Sequence, residues 1–141
     1  MNEQYVSFEV SKLLKENGFD WFTYSYYTKD DVDEKPYFGM ENLCPDNWNG
    51  EVDEVNDLWF SAPTQQMACR WLREEHNIHI MPTIGCDVDR IPRIFYGAVI
   101  ASFNNNGDIS YHDPLDENGY NEPEDAVEAA LEYVLKKLID L

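Results

Sequence analysis

Basic residues are scarce in this chain. Ten Lys and Arg stand against 28 Asp and Glu, a formal net charge of −18 at pH 7. A duplex binder neutralises phosphates with Lys and Arg, so the composition predicts no nucleic-acid partner; anionic membrane surfaces are disfavoured for the same reason. Cysteine is sparse too. Cys44, Cys69 and Cys86 cannot all pair, none lies near another in sequence, and no C-x-x-C occurs, which predicts reduced thiols in a cytoplasmic protein. No apolar run approaches the roughly 20 residues of a membrane helix. The opening Met-Asn-Glu-Gln-Tyr has neither the basic start nor the apolar core of a signal peptide. Walker, G-x-G-x-x-G, H-E-x-x-H and G-x-S-x-G motifs are missing, so the common signatures of nucleotide, zinc-protease and hydrolase chemistry are absent.

What the 141 residues do contain is enough apolar material, 43% with 14% aromatic, for one domain with its own core. Val6, Val10, Leu13 and Leu14 follow helical spacing, and Asn17-Gly18 supplies a left-handed stop that sets Phe19 against Leu14. Residues 21–27 read as a strand with Phe22, Tyr24 and Tyr26 on one face and Thr23, Ser25 and Tyr27 on the other. The run from Ser61 to Ile80 holds a whole helix opened by a polar residue and Pro63, with Thr64, Met67, Ala68, Trp71, Leu72 and Glu75 on one stripe. Alternation then takes over, with Ile78, Ile80, Pro82 and Ile84 facing one way and His79, Met81 and Thr83 the other. Ile94–Phe103 and Asp108–His112 form a hairpin across Asn106-Gly107, a sequence suited to a type I′ turn. Val127, Ala130, Leu131, Val134, Leu138 and Leu141 mark the buried stripe of a last helix opening near Asn121.

These elements predict an α+β fold in a single domain, residues 1–141. Its order is helix, strand, acidic insertion, helix, three strands, helix, with about four mostly antiparallel strands in one sheet and three helices on one face. From Pro63 onward the order is that of a double-stranded-RNA-binding domain, an analogy whose activity the acidic charge opposes.

The insertion, residues 28–58, has no lasting period, and a structureless loop of that length signals a function or a missed element. Between Asp30 and Asp57 ten acids accompany one base, Lys35, giving −9, half the total charge. Ten of the 20 aromatics lie between Trp21 and Phe60, overlapping that charge. Exposed aromatics anchor partners and acids steer a basic surface onto them, so Asp30, Asp31, Asp33, Glu34, Tyr37, Phe38 and Trp48 are the candidate partner-binding residues. The competing reading is that these rings fill the core and the acids form a solvated face.

The alternative class is an enzyme or metal protein centred on His76, His79 and Cys86, with Asp87 nearby. Zinc accepts such ligands, but this histidine pair spans a helix-to-strand junction and its spacing matches no established pattern. The cysteines sit in acidic surroundings, which raise rather than lower a thiol pKa. Asp87-x-Asp89 and Asp113–Gly119 read as turns; a calcium loop counted back from Gly119 would place Pro114 at its first ligand position. The sequence thus predicts no cofactor, no metal and no assigned catalytic residue.

Val6–Trp21, the Ser61–Ile80 run with its Ser-Ala-Pro-Thr-Gln-Gln-Met-Ala core, and Glu122-Pro-Glu-Asp-Ala resemble small uncharacterised proteins of gut Bacteroidales and their phages. The resemblance implies a phage or mobile-element setting and carries over no activity and no site residues. The expected function is that of a small acidic accessory protein binding a basic protein, one version presenting carboxylates in place of DNA phosphates.

Overall fold

The computed structural model describes residues 4–28, 36–38, 45–49, 59–87, 93–113 and 119–139. They fold as α+β, with three helices and two antiparallel sheets. The chain divides into two compact units, Met1–Ala68 and Cys69–Leu141.

The first unit holds α1 (Phe8–Glu16) and the strands β1 (Ser25–Thr28), β2 (Tyr37–Phe38) and β3 (Trp59–Ser61), ordered β2-β1-β3. Ser7 caps α1 by accepting a hydrogen bond from the Val10 N–H at 3.2 Å, which satisfies one of the donors left open at a helix start. At the other end Gly18 takes φ +87°. The Phe19 N–H donates to the Leu14 carbonyl at 3.0 Å and the Gly18 N–H to that of Lys15 at 3.2 Å. This is the Schellman closure expected from Asn17-Gly18-Phe19. Val6, Val10, Leu14 and Phe19 are buried with Tyr27. Phe8 meets Tyr27 and Phe60 edge-on at 5.7 and 5.4 Å between ring centres, so α1 docks on the face of the sheet that carries those rings.

Ser11 is also buried in α1, and its hydroxyl has no hydrogen-bond partner among the described residues. An orphan hydroxyl costs about 1–3 kcal/mol, and alanine is the better helix former. Ser11→Ala is therefore expected to raise stability by about 1 kcal/mol, measured by urea unfolding. A lower midpoint would show that the hydroxyl is bonded.

α2 (Gln65–His76) begins in the first unit and ends in the second. Thr64 is its cap, accepting from the Met67 N–H at 3.2 Å. Pro63 therefore stands outside the helix and not in its first turn, and Thr64 leaves the expected stripe. Ala68, Trp71 and Leu72 are buried, whereas Glu75 is exposed. Asn77, at φ 55°, turns the chain into the next strand.

In the second unit β4 (Ile78–Asp87), β5 (Arg93–Phe103) and β6 (Ile109–His112) form a sheet in that order. β4 and β5 pair without a break from Ile78↔Ser102 to Asp87↔Arg93. α3 (Pro123–Lys137) packs on β4 and β5. Its first turn carries Glu124 and Asp125 and its last Lys136 and Lys137, each favourable to the helix dipole. The buried stripe is Ala126, Ala130, Leu131, Val134 and Leu135, rotated from the predicted one: Val127 and Leu138 are half-exposed, and Leu141 lies outside the described residues.

The β5–β6 hairpin forms where expected, with a different turn. The Gly107 N–H donates to the Asn104 carbonyl at 3.0 Å and the Asn104 N–H to that of Asp108 at 3.1 Å. Only Gly107, at φ +83°, enters the left-handed region; Asn106 does not. This is a type I turn followed by a left-handed glycine, the three-residue hairpin loop, and not a type I′ turn. The Asn104 side chain decides it, its Oδ1 accepting from the N–H groups of Asn106 and Asp108, both at 2.9 Å.

Among the described residues two sheets of three strands stand in place of the single sheet of about four. The first-unit strand β1 pairs with β2 and β3, both short and one of them inside the predicted insertion, instead of extending β4-β5-β6. Consequently the helices do not share one sheet face: α1 docks on the first sheet and α3 on the second.

Candidate functional site

Residues 22–28, which end in β1, alternate in burial, and the face that is buried is the one carrying hydroxyls. Thr23, Ser25 and Tyr27 are each 2% exposed or less. Every one of their side-chain hydroxyls donates to a carbonyl: Thr23 to Ser25 at 2.8 Å, Ser25 to Ala62, and Tyr27 to Val6 at 2.6 Å. A satisfied buried hydroxyl carries little penalty. Phe22, Tyr24 and Tyr26 are thereby turned the other way. Phe22 is 62% exposed and Tyr24 51%.

Tyr26 belongs to a cluster of three rings. It stacks on Trp59 at 5.2 Å and 29° and meets Trp48 at 4.5 Å, while Trp48 meets Trp59 at 5.7 Å and 61°. All three residues are half-exposed. Trp48 comes from the acidic insertion, and a local hydrogen-bond set holds it there. Its Nε1 donates to the Thr23 carbonyl at 2.9 Å, and Thr23 and Asp46 exchange backbone bonds at 2.9 and 3.0 Å. Asn49 completes the seam: its Nδ2 donates to the Phe19 carbonyl at 3.0 Å, and its Oδ1 accepts from the Ser61 N–H at 2.9 Å. Residues 45–49 are thus bonded both to the segment leading into β1 and to β3. Lys15 lies beneath the cluster's backbone, donating from Nζ to the Trp59 carbonyl at 2.9 Å.

The arrangement presents rigid aromatic surface on a unit whose residues 1–68 carry 14 acids and four bases. Such rings give large contact area at small entropy cost.

Of the residues singled out from sequence, Trp48 takes this position. Tyr37 and Phe38 form β2, with Tyr37 opposite Tyr26 in the register; their side chains, together with all of Asp30, Asp31, Asp33 and Glu34, lie outside the described residues. Phe22, Tyr24, Tyr26 and Trp59 join the site without having been singled out. The alternation through Thr23 and Ser25 was legible, but which face is buried depends on acceptors such as the Ala62 carbonyl, 37 residues away.

His76, His79 and Cys86 are not brought together. His76 packs edge-on against Trp71 at 4.8 Å, and His79 against Phe103 at 5.2 Å. Cys86 is exposed. It lies seven residues along β4 from His79, roughly 23 Å at a strand's rise per residue, and the odd offset puts the two side chains on opposite faces. Among the described residues no group of three His, Cys, Asp or Glu is placed to hold a metal ion.

The two described cysteines differ in exposure, Cys69 being partly buried and Cys86 exposed. Burial pushes the Cys69 thiol up from 9.0 to about 11, with Glu128 adding to the rise and Arg73 opposing it. At pH 8, iodoacetamide is expected to label Cys69 about 100-fold more slowly in the folded than in the unfolded protein, because the thiolate is the nucleophile; peptide mapping checks this. The shift also makes stability pH-dependent. Below pH 9 the thiol is neutral in both states, so its contribution is fully present, and it is lost as pH rises through 9 to about 11, where the unfolded thiol ionises first. Cys69→Ala should flatten that part of the profile.

Among the described residues no helix is long and apolar enough to cross a membrane. Comparison with protein-family models, with curated proteins and with solved structures finds no match for this chain.

Proposed function

We propose that this chain is a small accessory protein of phage or mobile-element type that binds a basic protein through its acidic, aromatic first half. The observation that carries the reading is the inverted burial of residues 22–28, in which satisfied hydroxyls go inward, Phe22 and Tyr24 stay exposed, and half-exposed Tyr26 packs against Trp48 and Trp59. Large aromatics normally bury, so a surface that keeps them out is fitted for contact. The −9 between Asp30 and Asp57 supplies long-range attraction toward a cationic surface, and carboxylates set out in place of DNA phosphates are one form of it.

The test is affinity capture from the native host, followed by kinetics with the captured protein. The partner is expected to be basic, with an association rate that falls about tenfold or more between low and high salt. Neutralising Asp30, Asp31, Asp33 and Glu34 as amides should slow association and leave melting unchanged. Phe22→Ala and Tyr24→Ala should instead speed dissociation about fivefold or more, the scale of an interface anchor. A partner indifferent to salt and to both sets of substitutions would place binding elsewhere, and tight duplex-DNA binding would end the proposal.

A further inference from the structure

The hydrogen-bond polarity of the second sheet can be read from one pair. Tyr96 both donates to and accepts from Tyr120, each bond at 2.8 Å, so its backbone groups point toward Tyr120 and away from β4. Along a strand these groups alternate sides, and in an antiparallel ladder opposed residues either exchange both bonds or neither. Ile84 is the β4 residue opposite Tyr96, so its N–H and C=O face away from β5, onto the open edge of the sheet. Pro82 and Cys86, two residues either way, face the same edge. The Phe103 N–H donating to the Asn77 carbonyl at 3.2 Å fits the same alternation.

β4 is the outermost strand, and no backbone bond from any described residue reaches Ile84 or Cys86 on that side. Edges of this kind are usually blunted, and proline is one device. Pro82, lacking an N–H, blunts the middle of β4. Beyond it no described strand pairs with the edge, and it is apolar: Ile84 is 68% exposed and Ile94, opposite Cys86 on the same face, 58%.

We infer that the β4 edge at Ile84 and Cys86 receives an extended cationic segment of a partner protein as an added strand. Backbone pairing supplies affinity in this mode, and alternate side chains supply specificity. Residues facing the Ile84 side would be apolar and the others Lys or Arg. Charge selects this occupant over a second copy. Residues 69–141 carry 14 acids and six bases, so two copies would meet with like charge, whereas a cationic strand is attracted. The inference does not use Phe22, Tyr24 or the aromatic cluster, so it stands or falls separately from the function proposed above.

The probe is a blocked ten-residue peptide alternating Val and Lys, compared with the same peptide bearing Glu for Lys, with amide exchange read at single residues. The lysine peptide is expected to bind and to slow exchange at Ile84 and Cys86. Thr83 and Gly85, whose N–H groups face β5, should change little. The glutamate peptide should bind about tenfold or more weakly, the scale of 1.4 kcal/mol. Ile84→Pro removes a donor that faces only the edge, so it should leave the β5 ladder intact and weaken the lysine peptide about fivefold or more. Ile84→Lys, which keeps the donor but repels the probe, guards against a fold defect in the proline variant. Thermal melting confirms that each variant is folded. The inference is overturned by equal binding of the two peptides, by binding without protection at Ile84 and Cys86, by wild-type affinity in folded Ile84→Pro or Ile84→Lys, or by a dimer in sedimentation whose own Ile84 amide is protected.

Discussion

Replacing Trp71 by alanine is expected to destabilise the protein by about 3–5 kcal/mol, the range for truncating a fully buried large aromatic. Trp71 is 2% exposed and heads the largest fully buried side chains. It is also the surface on which the His76 ring rests. Truncation removes its transfer free energy and leaves a cavity that a helix anchored by Thr64 at one end and Asn77 at the other cannot easily collapse into. Trp71→Phe should recover part of the loss, because most of the ring volume stays. Urea unfolding followed by circular dichroism checks both, since the other three tryptophans would confuse a fluorescence signal. A loss below 1 kcal/mol would mean that this part of α2 is not packed as described.

The second large effect lies in β4. A Cβ placed on Gly85 would clash with the Cζ and Cε2 atoms of the Phe95 ring, and one on Gly119 would come within 2.5 Å of the Phe95 Cδ2. Phe95 therefore lies over two positions that have no side chain of their own, Gly85 opposite it in the sheet and Gly119 outside the strands. Gly85→Val must displace it. Overpacking typically costs about 1–3 kcal/mol, and uncovering Gly119 adds to that. Phe95→Ala alone should destabilise the sheet, whereas adding Gly85→Val to Phe95→Ala should cost much less than Gly85→Val alone. A double-mutant cycle reads that coupling, and additive losses would show that the two residues do not share the space.

Much of this molecule could be read locally. The Gly18 boundary of α1, the body of α2, the alternation along β4, the hairpin at Asn106-Gly107 and the polarity of α3 each rest on residues within a few positions of one another. The short strands were not readable in this way. β2 and β3 have two and three residues, too few for a period, and each becomes a strand only because β1 offers it a ladder.

The candidate site divides along the same line. The sequence by itself determined that the chain is strongly acidic, that aromatics and acids coincide in its first half, and that Thr23, Ser25 and Tyr27 share one face of a strand. These follow from composition and from the two-residue repeat of an extended backbone. Only the tertiary structure decided which face goes inside, because burying hydroxyls requires acceptors, and the carbonyls of Val6 and Ala62 lie 21 and 37 residues away. It likewise decided that Ile84, patterned like the buried Ile78 and Ile80, is left in solvent. Alternation sets the direction of a side chain, and burial depends on another element being there to cover it.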